Sequence, residues 1–229
     1  MDYLLNKNVK KIIKDSLGVD NTVNEALVAQ EKSFDLNTEF LTGRNKKNHK
    51  ELYQRYLKDF NEISAKLDAV DKSQVHSNNS EFRSLKLDET YNMNGAYLHE
   101  LYFANISDVN SEITMDSLPY IRLARDFGSF DNWQFDFLAC CNASRCGWAV
   151  TYLNTYTQTY MNCFIDLHSQ SVPAGFYPII VMDVWQHAYY RDYLKDVKTY
   201  SKAMMKELNW NVIGKRVEKA DKMLAILRS

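Results

Sequence analysis

The sequence predicts an α+β fold: an N-terminal helical hairpin followed by an α/β part with a three-stranded antiparallel sheet. Three observations predict it. Residues between Leu41 and Asp71 carry apolar side chains at helical spacing with no Pro or Gly beyond Gly43, and a second helical pattern returns at Asn94. The stretch CGWAVTYLNTYTQTYMNCFIDLHSQ is dense in Thr, Tyr, Val, Ile and Phe, residue types that favour strands. PIIVMD is a short apolar run bounded by turn-forming residues, as a buried strand is.

Along the chain, NKNVKKIIKDSL from Asn6 to Leu17 sets Val9, Ile12, Ile13 and Leu17 on one helical face and lysines on the other. The polar stretch that follows reads as an extension. In KNHKELYQRYLKDFNEISAKLDAV, Leu52, Tyr53, Tyr56, Leu57, Phe60, Ile63 and Leu67 recur at helical spacing and predict one long helix. DKSQVHSNNSEFRS reads as a loop, and NGAYLHELYFANI as the returning helix of an antiparallel hairpin. Past Pro119, two short helices flank Gly128. Two strands occupy CGWAVTYLNTYTQTYMNCFIDLHSQ, PIIVMD supplies a third, and two helices close the chain, from about Val184 to Leu194 and from Tyr200 to Leu227. The expected division is an N-terminal extension over 1–35, a hairpin domain over 36–112 and an α/β domain over 113–229.

The chain has 229 residues, 45% of them apolar, enough for a sizeable core. Lys plus Arg number 28 against 29 Asp plus Glu, so the net charge of −1 sets up no general attraction to nucleic acid or to an anionic membrane. No apolar run approaches the roughly 18 residues that span a bilayer, and the first residues lack the apolar core of a signal peptide; a cytoplasmic or otherwise intracellular protein is expected. The four cysteines, Cys140, Cys141, Cys146 and Cys163, form neither paired CxxC motifs nor CxxCH. They read as reduced, half-buried thiols.

Of the five histidines, His49, His99 and His187 fall inside ordered, aromatic-rich segments, and His187 follows Asp183 by four residues. A hairpin can aim His49 and His99 at one point, as helical bundles assemble metal sites. Docking of the mixed part would add Asp183 and His187. Three imidazoles and a carboxylate suit iron or manganese better than zinc, whose structural sites are richer in cysteine. Taken singly, each histidine reads first as a core residue hydrogen-bonded to a backbone group, ahead of a ligand. Trp148, Trp185, Tyr56, Tyr102, Tyr189 and Tyr190 form either a dry shell around an ion or ordinary core. His76, in VHSNNS, reads as a surface residue.

DVWQHAYY, from Asp183 to Tyr190, closely resembles the DVWEHAYY signature of the iron/manganese superoxide dismutase family. ARDFGSFDNWQFDF resembles that family's FGSF segment, CGW its GW strand start, NWNVIGKRVEKA its closing helix, GAYLHELYFANI its second-ligand helix and YLKDFNEISAKLD its YVNNLN stretch. The resemblance runs from about Phe34 to the C-terminus. It implies the same α+β fold, one iron or manganese ion per chain, and superoxide as substrate, disproportionated to dioxygen and hydrogen peroxide. It further implies that His99, Asp183 and His187 are metal ligands. The first ligand falls on Asn48 in the family's common register and on His49 if the helix is one residue shorter; His49 is preferred because an amide cannot match imidazole. Tyr56 corresponds to the gateway tyrosine, and Trp148 and Trp185 to walls of the site. The group that tunes metal-bound solvent is expected from the sheet side, His168 before Gln170, because Gly95 stands where one branch of the family places it.

The chain departs from the pattern at Gln186, where the family has a glutamate reaching across a homodimer, and at Leu52, where it has a histidine. A homodimer through the Gln186/Tyr190 region is the implied assembly. The alternative is a noncatalytic protein of the same fold in a larger assembly, using its N-terminal helix to bind a protein partner; a third possibility binds metal but turns over slowly.

Overall fold

The computed structural model describes residues 28–107 and 111–227. The amphipathic helix expected over Asn6 to Leu17 lies outside them.

Residues 28–42 form an extended strap laid along the first helix, α1 (Gly43–Ala69). Lysines of α1 reach back to it: Lys50 Nζ donates to Phe34 O at 2.6 Å and Lys46 Nζ to Thr38 O. The strap ends in Thr42, whose side chain caps α1 by accepting from Asn45 N–H. In α1 the buried row is Asn45, His49, Tyr53 and Leu57, spaced four apart and so nearly aligned on one face.

The second helix, α2, spans Glu81–Asn105. It therefore begins 13 residues before the expected start at Asn94, and the tail of the expected loop, Glu81 to Ser84, is helical. The start signal is Ser80, whose side chain accepts from Arg83 N–H. The first turns of α2 have little buried surface, so no apolar period announces them. The two helices run antiparallel: Tyr53 pairs with Glu100, His49 with His99, and Tyr56 with Tyr91.

Helices α3 (Leu118–Phe127) and α4 (Phe130–Ala143) meet at Gly128, whose φ of 81° is open to glycine without strain. Strands β1 (Gly147–Asn154), β2 (Thr159–Asp166) and β3 (Tyr177–Asp183) make an antiparallel sheet in the order β2-β1-β3. Gly147 opens β1 where a Cβ would fall 1.7 Å from Ile165 O, so no side chain fits there. Trp133 of α4 donates to Thr151 Oγ1 at 2.9 Å, and that hydroxyl donates to Asn162 Oδ1 at 2.6 Å, tying α4 to β1 and β2.

Helix α5 spans Gln186–Tyr193. The long final helix expected from Tyr200 is two helices, α6 (Val197–Met205) and α7 (Trp210–Leu227). Asn209 makes the break: its Oδ1 accepts from Val212 N–H, as an N-cap does, and its own N–H donates to Asn105 O at 2.6 Å.

Helix α2 packs on β3, and one core cluster runs from Tyr53, Tyr102 and Phe103 of the hairpin into Trp148, Ile180, Val181 and Met204. Two polar clamps cross that junction. Asn105 Nδ2 donates to Val181 O, and the buried Arg216 of α7 donates to Ile179 O, Leu101 O and Asn105 Oδ1. The cysteines are free thiols: Cys141 is buried and the others are half-buried. Among the described residues, no helix is long and apolar enough to cross a membrane.

Candidate metal centre

Four elements deliver one ligand-type side chain each: His49 from α1, His99 from α2, Asp183 from the last position of β3 and His187 from the first turn of α5. The local geometry of DVWQH follows from Asp183 itself, whose Oδ1 accepts from Trp185 N–H at 2.8 Å and turns the chain into α5. The other oxygen, Oδ2, is left to the histidines. His49 Nε2 lies 3.0 Å from it, His187 Nε2 3.2 Å and His99 Nε2 3.5 Å, and the four atoms are all within 4.8 Å of one another.

The tautomer of His99 is fixed. Its Nδ1 lies 2.5 Å from Gly95 O, and a carbonyl only accepts, so Nδ1 carries the proton and Nε2 a lone pair. That Nε2 is buried and has no hydrogen-bond partner. It faces a carboxylate oxygen, and two acceptors turned toward each other in a dry interior repel unless a positive charge sits between them. Burial holds His99 well below its ordinary pKa, with the neighbouring His49 adding to the effect, and burial likewise lowers His49. Burial of Asp183 favours its neutral form, but the attraction and hydrogen bonds of His187 and His49 outweigh this and keep it ionised.

A neutral His49 and a neutral His99 beside an ionised carboxylate are the protonation states that metal binding requires. Donor atoms about 2.1 Å from a common ion and about 90–120° apart are separated by about 3.0–3.6 Å, which the three nitrogen–oxygen distances satisfy. Three nitrogens, one oxygen and no sulfur suit iron or manganese. The cluster could bind either.

Around the cluster lies the aromatic shell. Trp148 is fully buried and donates from Nε1 to His168 Nδ1 at 3.0 Å. Indole is only a donor, so the neutral His168 ring carries its proton on Nε2, which is buried without an acceptor. Burial brings His168 down to about 4, so it is neutral above that. Its ring lies 5.0 Å from Trp185, 4.7 Å from Tyr56 and 6.1 Å from His99. Asn94 holds the turn by donating to His168 O at 2.8 Å. Trp185 stacks on His187 at 5.7 Å.

Gln170 is not brought to this shell. Its backbone pairs with Asp166 across the turn and its side chain is exposed, since the left-handed residues Leu167 and Ser171 fold only His168 inward. Tyr56 lies 5.4 Å from the His99 ring, seven residues after His49. Asn48 lines the outer cavity and is absent from the cluster. His76 is exposed.

Behind the ligands are two buried polar supports that sequence reasoning did not single out. Tyr200 donates to the carbonyl of Asp183 at 2.7 Å, so its lone pair takes the proton of Tyr102 at 2.9 Å. Glu100 accepts from Tyr53 at 3.0 Å and from Lys32 of the strap. Tyr91 completes the His168 pocket, its ring 4.7 Å from that imidazole. Its signal in the sequence is spacing: Tyr91, Gly95 and His99 are four apart and share a face of α2.

A cavity of about 490 Å³ opens beside the ligands, lined by Asn45, Asn48, His49, Gln186, His187 and Tyr190. His187 is the one ligand-type side chain with sizeable exposure, 26%.

Residues 120–216 match the family described as iron/manganese superoxide dismutases, C-terminal domain. The chain is 34% identical over 179 residues to the iron superoxide dismutase of Aquifex pyrophilus, covering 77% of this chain and 83% of that protein. The iron enzyme of Aquifex aeolicus is similar to the same extent. A manganese superoxide dismutase of Halobacterium salinarum is 33% identical over 133 residues, 58% of this chain and 66% of the relative.

Proposed function

Because the chain belongs to the iron/manganese superoxide dismutase family, we propose that it is a superoxide dismutase in which His49, His99, Asp183 and His187 hold one iron or manganese ion. The observation that carries the reading is the unpartnered lone pair of His99 Nε2 opposite Asp183 Oδ2, inside a ring of imidazole nitrogens. A bound ion supplies one-electron exchange: one superoxide is oxidised to dioxygen, and a second, with two protons, is reduced to hydrogen peroxide.

The chain's own residues do the rest. Asp183 is held at three points, its Oδ1 by Trp185 N–H, its Oδ2 by the imidazoles and its carbonyl by Tyr200, so Oδ2 is the oxygen that would face an ion. Gly95 O orients His99, and hydrogen bonds of this kind make an imidazole a better donor to a metal. Trp148 and Trp185 exclude water from one side. His168 offers a buried Nε2–H that can donate to solvent or to a reduced substrate beside the ligands. Tyr56 packs its ring against both His99 and His168.

Gln186 and Tyr190 line the cavity beside His187 and are proposed to meet their counterparts in a homodimer, burying the exposed edge of His187. An amide in place of a carboxylate makes that contact weaker than a charge-assisted one.

Metal analysis and a superoxide assay test the proposal together. Purified protein is expected to contain about one iron or manganese per chain and to consume superoxide, and His187→Ala is expected to lose both. Protein that folds normally yet carries no metal would refute it and favour the noncatalytic alternative.

A further inference from the structure

The four ligand-type side chains are not held alike. His99 is oriented by Gly95 O, and Asp183 by Trp185 N–H and Tyr200. Among the described residues, the side chains of His49 and His187 make no hydrogen bond except to Asp183. Where these two imidazoles stand therefore depends on how α1 and α5 are docked on each other.

A single amide makes that joint. Asn45, 1% exposed, precedes His49 by four residues on the buried face of α1. Its Nδ2 donates to Ala188 O and to Asp192 Oδ2, each at 3.0 Å. Both partners only accept, so the orientation of the amide is fixed and both of its hydrogens are spent. Ala188 and Asp192 lie one turn apart on α5, and a grip on both resists pivoting of that helix. Ala188 directly follows His187. Asp192 is gripped in turn by Thr42, the cap of α1, through its N–H at 3.0 Å and its hydroxyl at 2.8 Å.

We infer that Asn45 is a positioning residue for metal binding: by tying the first turn of α1 to α5 it sets the rotation of α1 about its axis, and with it the placement of His49 against His187, a role that rests on the metal reading of the cluster.

Two facts favour this role over simple packing. Asn45 Oδ1 is buried without a hydrogen-bond partner, a cost that an apolar side chain of similar size avoids. Rotation also matters at this point of α1, because Asn48, about 100° around the helix from His49, lines the outer cavity and takes no part in the cluster. Turning α1 would carry His49 Nε2 off Asp183 Oδ2, now 3.0 Å away.

The test is the affinity of stripped full-length protein for whichever of manganese and iron it binds, measured by chelator competition, with the EPR spectrum of the bound ion and a urea midpoint for each variant. Asn45→Ala removes both donations and should raise the metal Kd by about tenfold and alter the zero-field splitting. Asn45→Asp, of nearly the same size, sets a carboxylate against two acceptors and should weaken binding at least as much. Adding Asp192→Asn to it lets the amide introduced at 192 donate to the carboxylate introduced at 45, and should return the Kd to within about threefold of the parent. A parent-like Kd and EPR spectrum in Asn45→Ala, even with a lower urea midpoint, overturns the inference and leaves the metal reading intact. A double variant that binds no tighter than Asn45→Asp overturns it as well, and that comparison decides the matter if Asn45→Ala fails to fold. A parent protein that binds neither iron nor manganese overturns both readings.

Discussion

His168 makes a hydrogen bond that only its neutral form can make, because protonating Nδ1 would set it against the indole N–H of Trp148. Its folded pKa of about 4 lies below the ordinary value of 6.5, so the unfolded chain binds the proton more readily. The stability tied to this residue is then fully present above pH 6.5 and is lost as pH falls toward 4. The whole effect is up to about 3 kcal/mol. Denaturant unfolding at a series of pH values should show this acid loss in the parent and a smaller one in His168→Gln.

At the same scale, His99, Asp183 and His187 were legible because DVWQHAYY and GAYLHELYFANI keep a recognisable pattern. The choice between Asn48 and His49 was not fixed by pattern, since neighbouring helical positions differ by about 100° and only packing says which faces inward. His49 Nε2 is 3.0 Å from Asp183 Oδ2, and Asn48 lines the outer cavity. Spacing could not separate His168 from Gln170 either. Residues two apart lie on one side of a strand, but the left-handed Leu167 ends that alternation.

Helix α2 carries more of the site than a ligand. Tyr91, Asn94, Gly95 and His99 lie along it: Tyr91 packs edge-on against Tyr56 and His168, Asn94 holds the His168 turn, Gly95 leaves room for the Tyr56 ring, and His99 joins the cluster. Gly95→Ala sets two effects against each other. Alanine favours a helix interior over glycine by about 1 kcal/mol, whereas a methyl group 2.9 Å from the Tyr56 ring forces a shift that costs about 1–3 kcal/mol. The clash is expected to win, giving a lower urea midpoint and a perturbed metal spectrum. A stabilised Gly95→Ala would mean the ring moves freely.

The strap is the other element with consequences. It is fastened by Ala29 to Asn61, by Lys32 to Tyr53 and Glu100, and by Thr42 to Asp192. Glu100→Gln, which turns the Lys32 contact into an uncharged one, should cost about 1–2 kcal/mol. Little of the strap was legible, because its order comes from side chains on distant helices and from no period of its own.

Across the whole molecule the two halves are joined by a buried cation without a carboxylate. Burial lowers Arg216 to about 10, yet it stays charged at neutral pH and spends its donors on Leu101 O, Ile179 O and Asn105 Oδ1. Arg216→Met keeps bulk and strands those acceptors, so it should destabilise by about 2–4 kcal/mol in chemical unfolding. The α+β class and the sheet were readable from strand composition, but this joint was not: nothing in NVIGKRVEKA separates Arg216 from its solvated neighbour Lys215.

The facing lone pairs of His99 and Asp183 have a last consequence. In the folded protein both groups already stand without a proton at neutral pH, so an ion settling between them has none to displace there. Calorimetric titration of iron or manganese into the stripped protein should accordingly show no proton release from this pair above pH 6.5, and an affinity that weakens once acid begins to protonate it.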